Sequence, residues 1–216
     1  MVKEKYTPVE IVLDGFALKG NLSIPENAVG MVIFSHGSGS SRLSPRNNFV
    51  AKFLNKNGLG TLLFDLLTEE EDGNYENRFN IDLITMRLID VTQWVQNQKA
   101  SKEMVIGYFG ASTGAASALR AASFFGEDIK AVVSRGGRPD LAMQELNEVI
   151  APTLLIVGGW DQQVIQLNKK AYQELKCYRQ LEIVPEASHL FEEPGKLEQV
   201  SELAARWFKK WLQKDK

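Results

Sequence analysis

Apolar positions along the chain follow two different periods. Short runs rich in β-branched and aromatic residues occupy 9–13, 18–24, 30–35, 61–65, 104–109, 130–134, 153–158 and 181–184, and each has the length and composition of a strand. Elsewhere the spacing becomes helical. Ile81, Ile84, Leu88, Val91 and Val95 form one such stripe, and Val200, Leu203, Ala204, Trp207, Phe208 and Trp211 form another, so each predicts a helix with one face on a core. From the third run onward a helix-sized segment separates each strand from the next. That alternation requires crossover connections, which predict a mainly parallel sheet of about eight strands with helices on both faces. The first two runs have no helix between them and predict a hairpin antiparallel to the rest.

Composition narrows the picture. At 216 residues and 44% hydrophobic, the chain suits one well-buried core, so residues 1–216 are expected to form a single domain. The formal net charge of -2 and the lack of a Lys/Arg block argue against nucleic acid as a partner. The opening MVKEKYTPVE lacks the apolar core of a signal peptide, and no later run reaches the length of a spanning helix; no membrane partner is expected. A single cysteine, Cys177, cannot form an internal disulfide and reads as an inert, partly buried thiol. A cytoplasmic location follows as the expectation.

Chemistry concentrates after the strands. Gly110-Ala111-Ser112-Thr113-Gly114 follows the strand IGYF and precedes the helix-favouring ASALRAA. This is the strand-turn-helix setting of a G-x-S-x-G elbow, where small neighbours let a serine sit exposed on a sharp turn. An activated serine needs a base and a carboxylate to orient that base. His189 lies in PEASHLF after the last strand, and Asp161 in VGGWDQQ after the seventh. In a parallel sheet these loops share the carboxyl edge, which would bring Ser112, Asp161 and His189 together. Read singly, Asp161 is equally a helix cap and His189 a satisfied loop residue. Asp140, in RPDLA, is a reserve acid that reads as a helix N-cap. The glycine-rich SHGSGSS after the third strand offers amides for an oxyanion, giving Ser38 and Thr113 as donors. His36 is expected to brace that loop. HGSGSS fits neither phosphate-loop pattern.

Taken together, SHGSGSSRLSPRN, FDLLTEEE, GYFGASTGAA, SRGGRPDL, APTLLIVGG-x-D and ASHLFEEPG resemble the small serine hydrolases related to dienelactone hydrolase, within the α/β-hydrolase superfamily. The resemblance runs over most of the chain and implies an α/β-hydrolase fold with Ser112 as nucleophile, Asp161 as acid and His189 as base. Dienelactone hydrolase itself uses cysteine at the elbow, so its lactone substrate does not carry over. The segment 135–152 is too short for a substantial lid domain. The expected reaction is acyl transfer to water from a small-molecule ester, with no cofactor and no metal. Transfer to another acceptor, or a binding module without turnover, stays open on the same fold.

Charge adds a last expectation. Arg42, Arg46, Arg78, Arg135 and Arg138 all fall in loops at the predicted catalytic edge, and a guanidinium fork matches carboxylate or phosphate. An anionic substrate group held by Arg135, with Arg42 or Arg78, is one reading. The other is that Asp65, Asp140 and the run 69–72 take these arginines as ion pairs. Trp160, beside Asp161, is either a wall of the acyl site or simply packed.

Overall fold

The computed structural model describes residues 6–213, so residues 1–5 of the opening stretch lie outside the described residues. In chain order come β1 (Thr7–Leu13), β2 (Phe16–Ser23), β3 (Met31–Ser35), α1 (Pro45–Lys56), β4 (Gly60–Phe64), α2 (Glu69–Asp72), α3 (Ile81–Asn97), β5 (Ile106–Ala111), α4 (Thr113–Phe125), β6 (Ile129–Arg135), β7 (Thr153–Gly158), α5 (Gln162–Glu174), β8 (Arg179–Val184) and α6 (Lys196–Trp211). The strands form one sheet in the order β1-β2-β4-β3-β5-β6-β7-β8. All pairings from β4 to β8 are parallel, whereas β2 is antiparallel to both β1 and β4. The hairpin therefore contributes one reversed strand, β2, because β1 turns back into the direction of the others.

Alternation along the inner strands fills two cores. Met31 and Ile33 of β3 join Leu62, Leu88, Val91, Tyr108 and Leu119 on one face; Val32 and Phe34 join Val50, Leu54, Phe109, Ile156 and Phe208 on the other. A strand covered on both sides reads as a continuous apolar run, and that is how MVIFS and GTLLF read. The helical stripe from Ile84 to Val95 in α3 is buried on the first face, and Val200, Ala204, Trp207 and Phe208 of α6 on the second. Among the described residues no helix is long and apolar enough to cross a membrane.

One crossover departs from the expected alternation. Between β6 and β7 the chain forms only two 3₁₀ turns, Pro139–Ala142 and Leu146–Glu148. Pro139 opens the first of these turns, a position proline tolerates, and the buried residues Ala142, Leu146, Val149 and Ala151 pin the segment to the core. Asp140 does not cap a helix there. Its two oxygens receive the fork of Arg138 at 2.9 and 2.8 Å.

Candidate active site

The strand order reverses around β3: its crossover through α1 leads to β4 on one side, while β5 lies on the other. Loops leaving β3 and β5 must then diverge, and the crevice between them is where an open parallel sheet accepts ligands. The SHGSGSS loop and the elbow both open there.

Ser112 holds φ 52° and ψ -122° at the junction of β5 and α4, a conformation that a non-glycine residue adopts only when its surroundings impose it. The imposing contacts can be named. The Ser112 amide donates to Arg135 O at 3.2 Å, and the Ser112 carbonyl accepts from Ala115 and Arg138 amides at 3.1 and 3.0 Å. A Cβ at Gly114 would lie 2.2 Å from Ser35 O and 2.5 Å from His36 O, so only glycine lets α4 start this close to β3. Beneath it, Ser35 and Ser117 hydroxyls meet at 2.6 Å in the core, and Ser117 donates on to Gly114 O at 3.0 Å.

His189 and Asp161 arrive from two neighbouring loops. His189 Nδ1 lies 2.6 Å from Asp161 Oδ2. Asp161 stands at the N-cap position of α5 yet makes no capping bond, so its carboxylate is spent on the imidazole. The two loops meet because Gly158 has no side chain: a Cβ there would come within 2.4 Å of Ser188 O and 2.5 Å of Ala187 O. A carboxylate at Nδ1 fixes the proton on that nitrogen and leaves Nε2 as a lone-pair acceptor. His189 and Ser112 line the same cavity, of about 540 Å³.

The SHGSGSS loop is braced rather than free. The Ser38 amide donates to Thr113 Oγ1 at 2.9 Å, and the two hydroxyls are 2.9 Å apart. Ser38 Oγ donates to Arg78 O at 2.7 Å, which leaves the Thr113 hydroxyl to donate to Ser38 Oγ. Thr113, first residue of α4, has an amide with no acceptor inside its helix. His36 uses both ring nitrogens on backbone: Nδ1 at 3.0 Å from Gly37 O, and Nε2 accepting from Leu66 N–H at 3.1 Å. Burial holds its pKa below the ordinary value, against Gly37 O and the nearby Asp65 and Asp72, which raise it.

The arginines divide. Arg42 pairs with Asp65 through side chain and backbone, and Arg78 lays its fork on Asp72 with two contacts of 2.9 Å. Neither lines the cavity that holds Ser112, and neither does Trp160, which is 61% exposed. Arg42 and Arg78 are thus engaged in ion pairs, the second of the two roles expected for them, and Trp160 lies at the surface. Arg135 does line that cavity, as do Arg46 and Arg138. Sequence reasoning missed Ser44, Asn47, Phe79, Leu141 and Leu190, which also line it. Their positions in the segments that follow β3, β4, β6 and β8 were a usable signal for the edge, though not for their direction.

An eight-stranded, mostly parallel sheet with a strained serine turn after β5 defines the α/β-hydrolase fold. Residues 19–214 match the model of the dienelactone hydrolase family, and the chain belongs to that family. It is similar to a dienelactone hydrolase of Anabaena variabilis, with 50% identity, a TM-score of 0.95, and coverage of 97% of this chain and 99% of that one. Est1E of Butyrivibrio proteoclasticus shares the fold at a TM-score of 0.81 and 16% identity, over 94% of this chain and 98% of that one. Two curated relatives, from two strains of Mycobacterium tuberculosis and provisionally named phosphoribosyl transferases, are 54% identical over 93% of this chain. The chain spans 45% of the length of those relatives.

Proposed function

We propose that the chain is a cytoplasmic serine hydrolase that cleaves a small ester or related acyl bond through Ser112, His189 and Asp161. One observation carries the proposal: the imidazole anchored at 2.6 Å by Asp161 lines the same cavity as the serine on the strained turn. Ser112 Oγ attacks the acyl carbonyl while His189 Nε2 takes its proton, and Asp161 stabilises the imidazolium. The negative charge on the former carbonyl oxygen is met by the Thr113 and Ser38 amides, the second becoming available when the oxyanion displaces the Thr113 hydroxyl. The alcohol leaves with the proton from His189. Water then attacks the acyl-enzyme, giving its proton to His189, and the carboxylic acid and free Ser112 result. The cytoplasmic placement is an expectation supported by the single cysteine, which forms no disulfide within the chain.

A panel of chromogenic esters with the wild type and Ser112→Ala tests this, together with labelling by a fluorophosphonate. Turnover and labelling in the wild type, both lost in Ser112→Ala, are the expected result. Turnover that survives in Ser112→Ala would end the proposal.

A further inference from the structure

Arg135 stands apart from the other cavity arginines. It is only 4% exposed, its guanidinium donates from Nη2 to the neutral amide oxygen of Asn47 at 3.0 Å, and its Nε is buried without a partner. Among the described residues no carboxylate pairs with it. Burial and the neighbouring Arg46 guanidinium together bring its pKa down to about 10, so the group is still a cation at neutral pH. Arg46 spends Nη1 on the exposed Glu192 at 2.8 Å, but its Nε is also buried and unpartnered. Both arginines line the cavity that holds Ser112 and His189. Two cations are thus brought close, Arg135 almost wholly buried and Arg46 partly exposed and paired with Glu192, and each keeps an orphaned Nε donor that an anion between them would satisfy.

The helix beside them points the same way. Ser44, Arg46 and Asn47 form the first turn of the twelve-residue α1 and line the cavity as well. The Ser44 hydroxyl caps the Asn47 amide and Pro45 has none, which leaves the Arg46 amide as the uncapped donor of that turn. Partial positive charge at this end favours an anion. Arg138, the remaining cavity arginine, is neutralised by Asp140.

We propose that Arg135, Arg46 and the N-terminus of α1 form a subsite, within the cavity of Ser112, for a phosphate group carried by the substrate, so that the ester cleaved is a phosphorylated one. The proposal rests on the reading of Ser112 as the nucleophile for its placement of the scissile bond, though the anion subsite stands without it. Phosphate fits better than carboxylate on two counts. Its second negative charge matches two guanidiniums, and its three free oxygens meet donors arriving from β6 and from α1, whereas a planar carboxylate serves one fork at a time.

Inorganic phosphate is the probe. With the wild type it should inhibit hydrolysis of a neutral acetate ester competitively and raise the thermal midpoint, and it should raise the midpoint of Ser112→Ala too. Arg135→Met should weaken both effects by about 10- to 100-fold, the range for losing hydrogen bonds to a charged group. Arg46→Gln, nearer the surface, gives the same reading should Arg135→Met fail to fold, with a smaller loss expected. Lys170→Gln, on the exposed side of α5, should leave the phosphate response intact. A midpoint shift that is absent in the wild type, or unchanged in Arg135→Met and Arg46→Gln, overturns the subsite. Malonate that competes more tightly than phosphate overturns the phosphate assignment in favour of carboxylates. Ester hydrolysis without a phosphate response defeats the subsite alone; a phosphate response without hydrolysis defeats the serine hydrolase reading alone.

Discussion

The two histidines share a sheet edge and differ in what their rings have left to give. Around His36, backbone takes both nitrogens, at Gly37 O and Leu66 N–H, and the ring is almost wholly buried. Around His189, a carboxylate takes one nitrogen and the half-exposed ring lines the cavity with Ser112. The first arrangement ties two loops together and keeps the imidazole neutral. The second holds the tautomer and leaves Nε2 uncommitted, so a histidine's capacity as a base depends on an unspent nitrogen more than on its place at the catalytic edge.

The largest effects should separate the two regions outright. Ser112→Ala and His189→Ala are each expected to lower kcat/KM on a chromogenic acetate by on the order of 10⁴-fold or more, because members of one catalytic unit fail together. Their unfolding midpoints should stay near that of the wild type, as neither side chain fills a core. His36→Ala losing as much activity as His189→Ala, at equal folded fraction, would erase the distinction drawn between the rings.

Asp161→Asn should come next. The amide retains an acceptor but loses the charge that stabilises imidazolium, and it invites the wrong tautomer; a fall of about 10³- to 10⁴-fold in kcat is expected. The α5 helix should persist, since the Asp161 side chain does not cap it. A large drop in stability with little change in kcat would return this aspartate to the capping role.

His36 should instead register in stability and in its pH dependence. Its pKa is lowered in the fold, chiefly by burial, so the unfolded chain binds the extra proton first. Stability from keeping this ring neutral is present above the unfolded value of about 6.5, and it is lost as the pH falls below it, with a slope of at most about 1.4 kcal/mol per pH unit. Glu69, Glu71 and Glu193, with pKa values held down by their partners, lose stabilisation only in the lower carboxylate range. Urea unfolding at pH 7.5 and 5.5 therefore isolates the histidine. His36→Gln should cost about 1–3 kcal/mol at pH 7.5, for the backbone donor left unpaired, and should flatten the difference between the two pH values. An unchanged slope in the variant would show that other groups set it.

Why some of this was legible and some not follows from the range of the interactions. Strands such as 153–158 could be read to the residue because burial on both faces writes an unbroken apolar run. The elbow was legible because its small residues are adjacent in sequence and answer a local steric demand, with Gly114 against Ser35 and His36. The missing helix between β6 and β7 was not, because helix-sized length does not distinguish a helix from two 3₁₀ turns held down by Ala142, Leu146 and Val149. The arginines show the limit most plainly. Arg78 meets Asp72 only six residues away, within the acidic run already offered as a partner, whereas Arg42 and Arg135 take Asp65 and Asn47, 23 and 88 residues away, and nothing local tells which of these two meets a carboxylate. Where the partner is distant in sequence, the pairing of long side chains leaves no local pattern to read.

The smallest expected effect concerns acyl length, and it sharpens the contrast between the two sides of the cavity. The 3₁₀ turn after β6 contributes Leu141, and the segments after β4 and β8 contribute Phe79 and Leu190, as apolar lining. Between β6 and β7 the described residues form no α-helix that would cover a long chain. A methylene that reaches this lining can gain up to about 0.8 kcal/mol, roughly fourfold in kcat/KM, and one that passes beyond it into solvent gains little. From acetate to butyrate the rate should therefore rise by a few-fold at most, and from hexanoate onward it should level or fall. Leu141→Ala should flatten the early rise and leave the acetate rate within about twofold. Rates that continue to climb through octanoate and decanoate would mean that the segment 136–152 closes over the acyl chain after all.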